Sequence, residues 1–392
     1  VTTPTAESPA PPGELARLIA GQVCLHACMA GTRMAAPLHA LNQGHSEAAV
    51  GVLIALFALT QVFLALPAGR FSDRHGLKRP VLYGVIAASI GVGIAVIWPI
   101  FPVLCISALC TGGATGCAAI ALQRHAGRAA TSSTQLKKVF SWLAIGPAIS
   151  NFVGPFAAGL VIDHAGYRAA FLLMALLPLG AWLFVRKAHE LPPVVVPEGA
   201  APTRAWDLWQ DPMFRRLLIV NWFLSSCWDV HTFVVPVLGH ERGFSASVIG
   251  TILGSFAIAA AAIRVVMPMM AAYLEEWATV SAAMVATAVL FAVYPLMPTA
   301  LGMGVCSVLL GFALGSVQPM IMSMLHQITP EHRHGEAVGM RMMAINASSV
   351  GMPVLFGAAG TIVGVSGVFW AVGLMVGCGT AMAVKLKGGR TS

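Results

Sequence analysis

The sequence predicts an all-α membrane protein of twelve transmembrane helices, arranged as two pseudo-symmetric six-helix bundles. Three observations predict it: a composition too apolar for water, twelve apolar runs of membrane-crossing length, and a repeat relating the two halves of the chain. Of 392 residues, 57% are hydrophobic and 10% are charged, and the mean hydropathy is +0.80. A soluble domain carries about 25% charged residues because it must cover its surface with them. The 23 basic and 15 acidic residues present here cannot do that, so most of the surface must face lipid. Soluble enzymes, secreted disulfide scaffolds and disordered regulators are excluded.

A helix needs about 20 apolar residues to cross the hydrocarbon. Runs of that kind fall at 15–38, 48–68, 80–98, 101–122, 139–161 and 169–186, and again at 214–238, 247–270, 278–296, 299–325, 337–362 and 366–385. The expected organisation is a cytoplasmic tail (1–13), a six-helix bundle (14–186), a linker (187–213), a second bundle (214–386) and a short tail (387–392). The linker is marked by LPPVVVPEGAAP and the charges after it. The first thirteen residues are rich in Pro, Ser and Thr, with no basic run before a short apolar core, so no cleavable leader is expected.

Charge placement sets the orientation. With the N-terminus inside, only Arg168 and Arg242 fall in outer loops, while Arg33, Arg264 and Arg341 lie in or at the edge of spans. Every other Lys and Arg falls in inner loops or tails, so both termini are expected in the cytoplasm of a multi-pass inner (plasma) membrane protein. Basic residues scattered through short loops also argue against a nucleic-acid face despite the net charge of +8. The eight cysteines lie in apolar segments without a C-x-x-C pair, which makes them packing residues. No metal site or cofactor is expected.

The repeat is visible residue by residue. Pro37, Gly44, Ser46, Gly51 and Phe57 recur as Pro236, Gly243, Ser245, Gly250 and Phe256 at a constant offset of 199, which Cys28 and Cys227 share. Parallel duplicated halves of six helices point to a transporter whose substrate site lies between the halves near the bilayer midplane.

Two motifs are more specific. After the second run stands Gly69-Arg-Phe-Ser-Asp73-Arg74-His75-Gly76-Leu77-Lys78, a glycine-bounded turn with one acid among bases. The fifth run holds Ser150-Asn-Phe-Val-Gly154-Pro155-Phe-Ala-Ala158-Gly159, with small residues for close helix packing and a proline to kink it. The first, G-x-x-x-D-R-x-G-x-K, resembles the signature loop of the major facilitator superfamily, with Leu77 where that family usually has a base. The second resembles the family's proton-antiporter motif, with Ser150 and Ala158 in place of glycines. Asp163-His-Ala-Gly-Tyr-Arg168 is similar to the family's usual link from the fifth to the sixth helix. The resemblance extends over essentially all twelve helices. It implies that Gly69, Asp73, Arg74 and Gly76 form a conformational latch, in which Asp73 pairs with nearby bases and a helix N-terminus. It also implies a helix-packing role for Gly154, Pro155 and Gly159. Two features depart from the family: Ala108 and Leu109 stand where many drug antiporters carry an arginine before a glycine, and the second-half loop keeps only the acids of Tyr273-Leu274-Glu275-Glu276-Trp277.

A charged side chain at the bilayer centre costs about 2.5–3.5 kcal/mol, so such residues are functional candidates. Arg33, with His26 two turns earlier, lies in the first run, Asp229 and His231 in the seventh, and Arg264 in the eighth. Arg341, close to the inner end of its run, is expected at the interface. Asp229 is the only acid deep in a span, and a carboxylate there needs a partner or a proton. The expected proton-coupling groups are Asp229, His231 and His26. The expected substrate contacts are Arg33, Arg264, Asn221, Trp222, Trp228, Gln318, Asn346 and Gln61.

Two arginines against one acid favour an organic anion or zwitterion over a cation. The expectation is a monomeric secondary transporter, embedded in lipid, moving a small-molecule substrate with protons by alternating access. The alternative is a drug/proton antiporter exporting amphipathic or cationic compounds. A receptor or scaffold is disfavoured by the short loops, an intramembrane enzyme by the lack of an H-E-x-x-H spacing, and an ATP-driven pump by the lack of a phosphate-binding glycine loop.

Overall fold

A computed structural model describes residues 13–191, 205–244 and 246–389. The expected N-terminal tail and most of the linker lie outside the described residues. The described chain is helical, without strands: α1 Glu14–Asn42, α2 Glu47–His75, α3 Lys78–Ile97, α4 Phe101–Arg128, α5 Ser133–Leu143, α6 Ile145–Val185, the short α7 Asp207–Gln210, α8 Pro212–Glu241, α9 Ala246–Met270, α10 Glu276–Val293, α11 Ala300–Ile328 and α12 His334–Val384.

Two helices are too long for one crossing, and each is broken by a left-handed glycine. Gly166 (φ 78°) divides α6 and Gly364 (φ 73°) divides α12, a conformation only glycine adopts without a steric penalty. With those breaks counted, described helix overlaps all twelve expected segments. Nine stretches among the described residues satisfy length and apolarity for a membrane span, one of them the 53-residue Ser133–Val185. The repeat has the same physical origin. Gly44 (φ 83°) and Gly243 (φ 73°) turn the chain in left-handed conformation after α1 and α8, and the hydroxyl of Ser46 caps α2 by accepting from the Ala49 amide.

The exterior is apolar, with Phe63, Ile258, Leu301 and Leu374 more than two-thirds exposed. Inside, one core belongs to the first half, built on Leu25, Leu53, Val85, Phe171 and Met174. The other spans the second half and also takes in Leu136, Phe140 and Leu143 of α5. The first half is thereby packed into the second at one end of the bundle. That end carries the basic helix ends around the turns after α2 and α4, with Arg74, Lys78, Arg79, Arg128, Lys137 and Lys138, and is called the basic end below.

Glycines set the closest helix contacts. A Cβ on Gly154 of α6 would lie 2.4 Å from the Ala27 carbonyl oxygen of α1, whereas one on Gly159 would meet only the Met34 methyl at 3.5 Å. Ser150, standing in for a glycine, turns its hydroxyl to the carbonyls of Gly146 (2.7 Å) and Val23 (3.3 Å).

Candidate functional site

The basic end is closed by two seams between the halves. In the first, α2 meets the start of α12. Each Asp73 oxygen accepts from a backbone amide at that helix N-terminus, Gly335 at 2.8 Å and Glu336 at 3.0 Å, and Arg124 donates to Oδ1 at 2.5 Å. The helix dipole and the guanidinium both favour the ionised carboxylate. Backbone approaches backbone here: a Cβ on Gly69 would lie 2.2 Å from the Gly335 carbonyl oxygen. Arg70 and Arg333 close the seam on the two oxygens of Glu336. Gly76 (φ 73°) ends α2, and the Glu190 carboxylate then accepts from the amides of Leu77 and Lys78 at the start of α3. Arg74 is exposed.

The second seam joins α5 to α9, α10 and α11. Glu276 accepts from Ser133 (2.5 Å), Gln327 (3.0 Å) and Ser323 (3.1 Å), with Lys137 at 3.6 Å. Lys137 also donates to the Leu274 carbonyl at 2.6 Å. The second-half loop, which had lost the glycine pattern, thus still sets an acid against the first turn of a helix in the opposite half. A hydrogen bond across 143 residues is invisible to a motif defined by glycines.

Above this closed end, a cavity of about 690 Å³ lies between the halves. Among the described residues, the first half contributes only Pro147, Ala148, Asn151 and Phe152 of α6. The second half supplies Asn221, Ser225, Trp228 and Asp229 of α8, Arg264 of α9, Gln318 of α11, and Arg341 and Ser349 of α12, among apolar side chains. Asp229 accepts from Ser349 at 3.2 Å and Ser348 at 3.4 Å. Arg264 is 8% exposed. It donates to the carbonyls of Gly315 (3.3 Å) and Ala144 (3.1 Å), with its guanidinium carbon 5.7 Å from the centre of the Trp228 ring.

Of the expected substrate contacts, the structure gathers Asn221, Trp228, Arg264 and Gln318 on this wall, with Asp229 from the expected proton-coupling set. His26 of α1 faces Asn151, which lines the cavity from the first half. The others stand apart. Arg33 is exposed on α1, and Trp222 packs beside Phe223. Gln61 reaches Met29 and Phe57, while Asn346 donates to the Met342 carbonyl one turn back. His231 is fully buried on the other side of α8, bonded to Ser307 at 2.9 Å and stacked on Phe256. Side chains two apart on a helix point about 200° apart, so Asp229 and His231 cannot share a face.

Arg341 differs from its expected interfacial position. It is 4% exposed, lines the cavity, and donates to the Asn221 side-chain oxygen at 3.2 Å. The helix starts at His334, so Arg341 sits two turns inside it, sealed from the basic end by the Asp73 seam.

The fold and site define a multi-pass membrane transporter built of two helical halves around a central cavity. A profile described as Major Facilitator Superfamily matches residues 18–305 and 217–390, and the chain belongs to that superfamily. Its fold is similar to that of a bacterial homologue of the iron transporter ferroportin in an outward-facing state (15% identity, TM-score 0.78, covering 95% of this chain and 99% of that one). It is similar also to the human organic anion transporter MFSD10, TETRAN (16% identity, TM-score 0.77, covering 95% and 100%). In sequence, it is 31% identical over 137 residues to the class B tetracycline resistance protein of Escherichia coli. That match covers 34% of this chain and about a third of the relative's length.

Proposed function

We propose that this chain is a proton-coupled secondary transporter for a small amphipathic organic anion or zwitterion, working by alternating access with its basic end towards the cytoplasm. One observation carries the reading: Arg264 and Arg341 line one largely apolar cavity, and both rest on neutral groups, backbone carbonyls and an amide oxygen. Burying a charge without a countercharge costs several kcal/mol, which an anionic group between the two would offset. Trp228 and Phe152 offer faces for an aromatic or aliphatic body. Asp229, whose oxygens accept from the serine hydroxyls of Ser348 and Ser349, is the group to take up and release the proton.

The test is ligand stabilisation of the purified protein by aromatic carboxylates and by lipophilic cations. Wild type should melt higher with the carboxylates, and Arg341→Gln should lose that gain. Stabilisation by cations that ignores Arg341 would refute the anion reading. The second reading, a drug/proton antiporter exporting amphipathic or cationic compounds, is supported by the similarity to a tetracycline resistance protein and by the Gly154-Pro155 motif. Resistance of cells to lipophilic cations on overexpression would favour it.

A further inference from the structure

Arg264 belongs to both the cavity and the seam beneath it. Its Nε donates to the Gly315 carbonyl of α11, whose usual helical partner would be the N–H of residue 319. Position 319 is proline and has no N–H, so that carbonyl is free to accept. Its Nη1 crosses between the halves to the carbonyl of Ala144, at the break between α5 and α6. Ser133, Lys137 and Ala144 follow one another along α5, and each is tied to the second half. The outer two ties end on Glu276 and Leu274 at the basic end, and the innermost ends on a side chain of the cavity wall.

We propose that Arg264 is the residue through which the cavity reads the charge of its occupant: an anionic group takes the guanidinium from the Ala144 carbonyl, and that release favours opening of the basic end. The inference rests on the anion reading of the same cavity. A carbonyl oxygen is a weaker partner for a guanidinium than a carboxylate, which can accept two parallel N–H bonds. A carboxylate beside Trp228 would therefore outcompete Ala144, whereas a cation or neutral molecule would leave the cross-half bond in place. A ligand shifts a conformational equilibrium only through its different affinity for the two states. Here the difference arises because Arg264 is engaged with the first half in the closed form and free for the ligand in the other. Arg341 donates to Asn221 within the second half, so it binds without reporting.

Hydrogen–deuterium exchange in lipid nanodiscs tests this at both ends of the molecule. Basic-end segments are 131–138 and 271–279, and opposite-end segments are 42–46 and 294–300. Unliganded Arg264→Gln should exchange faster at the basic end and slower at the opposite end. The open-to-closed ratio should rise about tenfold, as expected for one hydrogen bond from a charged donor. Plain destabilisation would speed exchange at both ends, and that result, or no change, overturns the proposal. Wild type with 1-naphthoate should show the same opposite-signed pattern, and wild type with tetraphenylphosphonium should not. Arg264→Lys retains the charge but has one ammonium for two carbonyls. It should still be stabilised by 1-naphthoate and should exchange faster than wild type at the basic end without ligand. Thermal stabilisation by 1-naphthoate without the exchange pattern overturns the proposed role of the Arg264–Ala144 bond and leaves the anion reading standing. No stabilisation, with the Arg264→Gln pattern present, refutes the anion reading and leaves the cross-half bond as a conformational tie.

Discussion

Replacing Gly69 with alanine adds one carbon to α2 at the first seam, and the structure says where it would go. The new Cβ would lie 2.2 Å from the Gly335 carbonyl oxygen and 3.1 Å from the Glu336 nitrogen, where ordinary contact starts at 3.4 Å. Both neighbours are backbone, so no side chain can swing aside. The two helices must part by roughly 1 Å, since repulsion rises steeply inside contact distance. Parting by that much stretches the bonds from Gly335 (2.8 Å) and Glu336 (3.0 Å) to Asp73 beyond useful length. Each is a bond to a charged group, worth about 1.5–3 kcal/mol. Losing both weakens the closed basic end by about 3 kcal/mol or more, a shift of about 100-fold in the conformational ratio. Alanine is the better helix former by about 1 kcal/mol, so the fold itself should not suffer. The assay is basic-end hydrogen exchange alongside transport, with Gly93→Ala as control, since nothing lies within 4 Å of that added carbon. Normal transport and unchanged basic-end protection in Gly69→Ala would refute the argument that this contact holds the end shut.

Asp229→Asn should keep ligand binding while transport ceases to follow an imposed pH gradient; unchanged coupling in a vesicle flux assay would remove Asp229 from the mechanism. Arg341→Gln should weaken binding of an aromatic carboxylate by about tenfold or more, while Arg33→Gln, on an exposed position, should change it by less than about twofold. Both are read by calorimetric titration. Gly154→Ala drives a carbon to 2.4 Å from the Ala27 oxygen and should destabilise by about 1–3 kcal/mol through overpacking. Gly159→Ala meets only a methyl at 3.5 Å and should melt with wild type in a thermal unfolding scan.

Much of the fold was legible because lipid imposes a coarse rule: any run of about 20 apolar residues becomes a helix. The left-handed glycines at 44 and 243 showed through as a repeat for a similar reason, since no other residue fits that turn at so little cost. Gly166 sits in the polar link from Asp163 to Arg168, which marked that boundary in the sequence. Gly364 was harder to see: it interrupts an apolar stretch without a polar loop, so hydropathy alone places the boundary only loosely. The site was legible in part. Asp229, Arg264, Trp228, Asn221 and Gln318 stood out as polar or aromatic groups in apolar runs, but their faces did not. His231 shares a helix with Asp229 and points away, a consequence of the 3.6-residue period that could have been drawn from spacing alone once one residue was assigned to the cavity. Arg341 was missed because distance from a span's end measures depth only where that end meets water, and here another helix covers it. The acid of the second seam was missed because pairing between Ser133 and Glu276 depends on how the halves meet.

The cavity wall is lopsided: nearly every polar group on it comes from the second half. The two halves are related in sequence by a repeat, yet they line the cavity unequally. Under the proposed function, the second half carries the chemistry that would identify the cargo, and the first, with Phe152 and Pro147 as its inner surface, would act as a moving shutter. A change of cargo during evolution would then be written in α8, α9, α11 and α12, while the first half is inherited with little revision. A chimaera that joins this first half to the second half of another superfamily member should accordingly take its substrate preference from the latter.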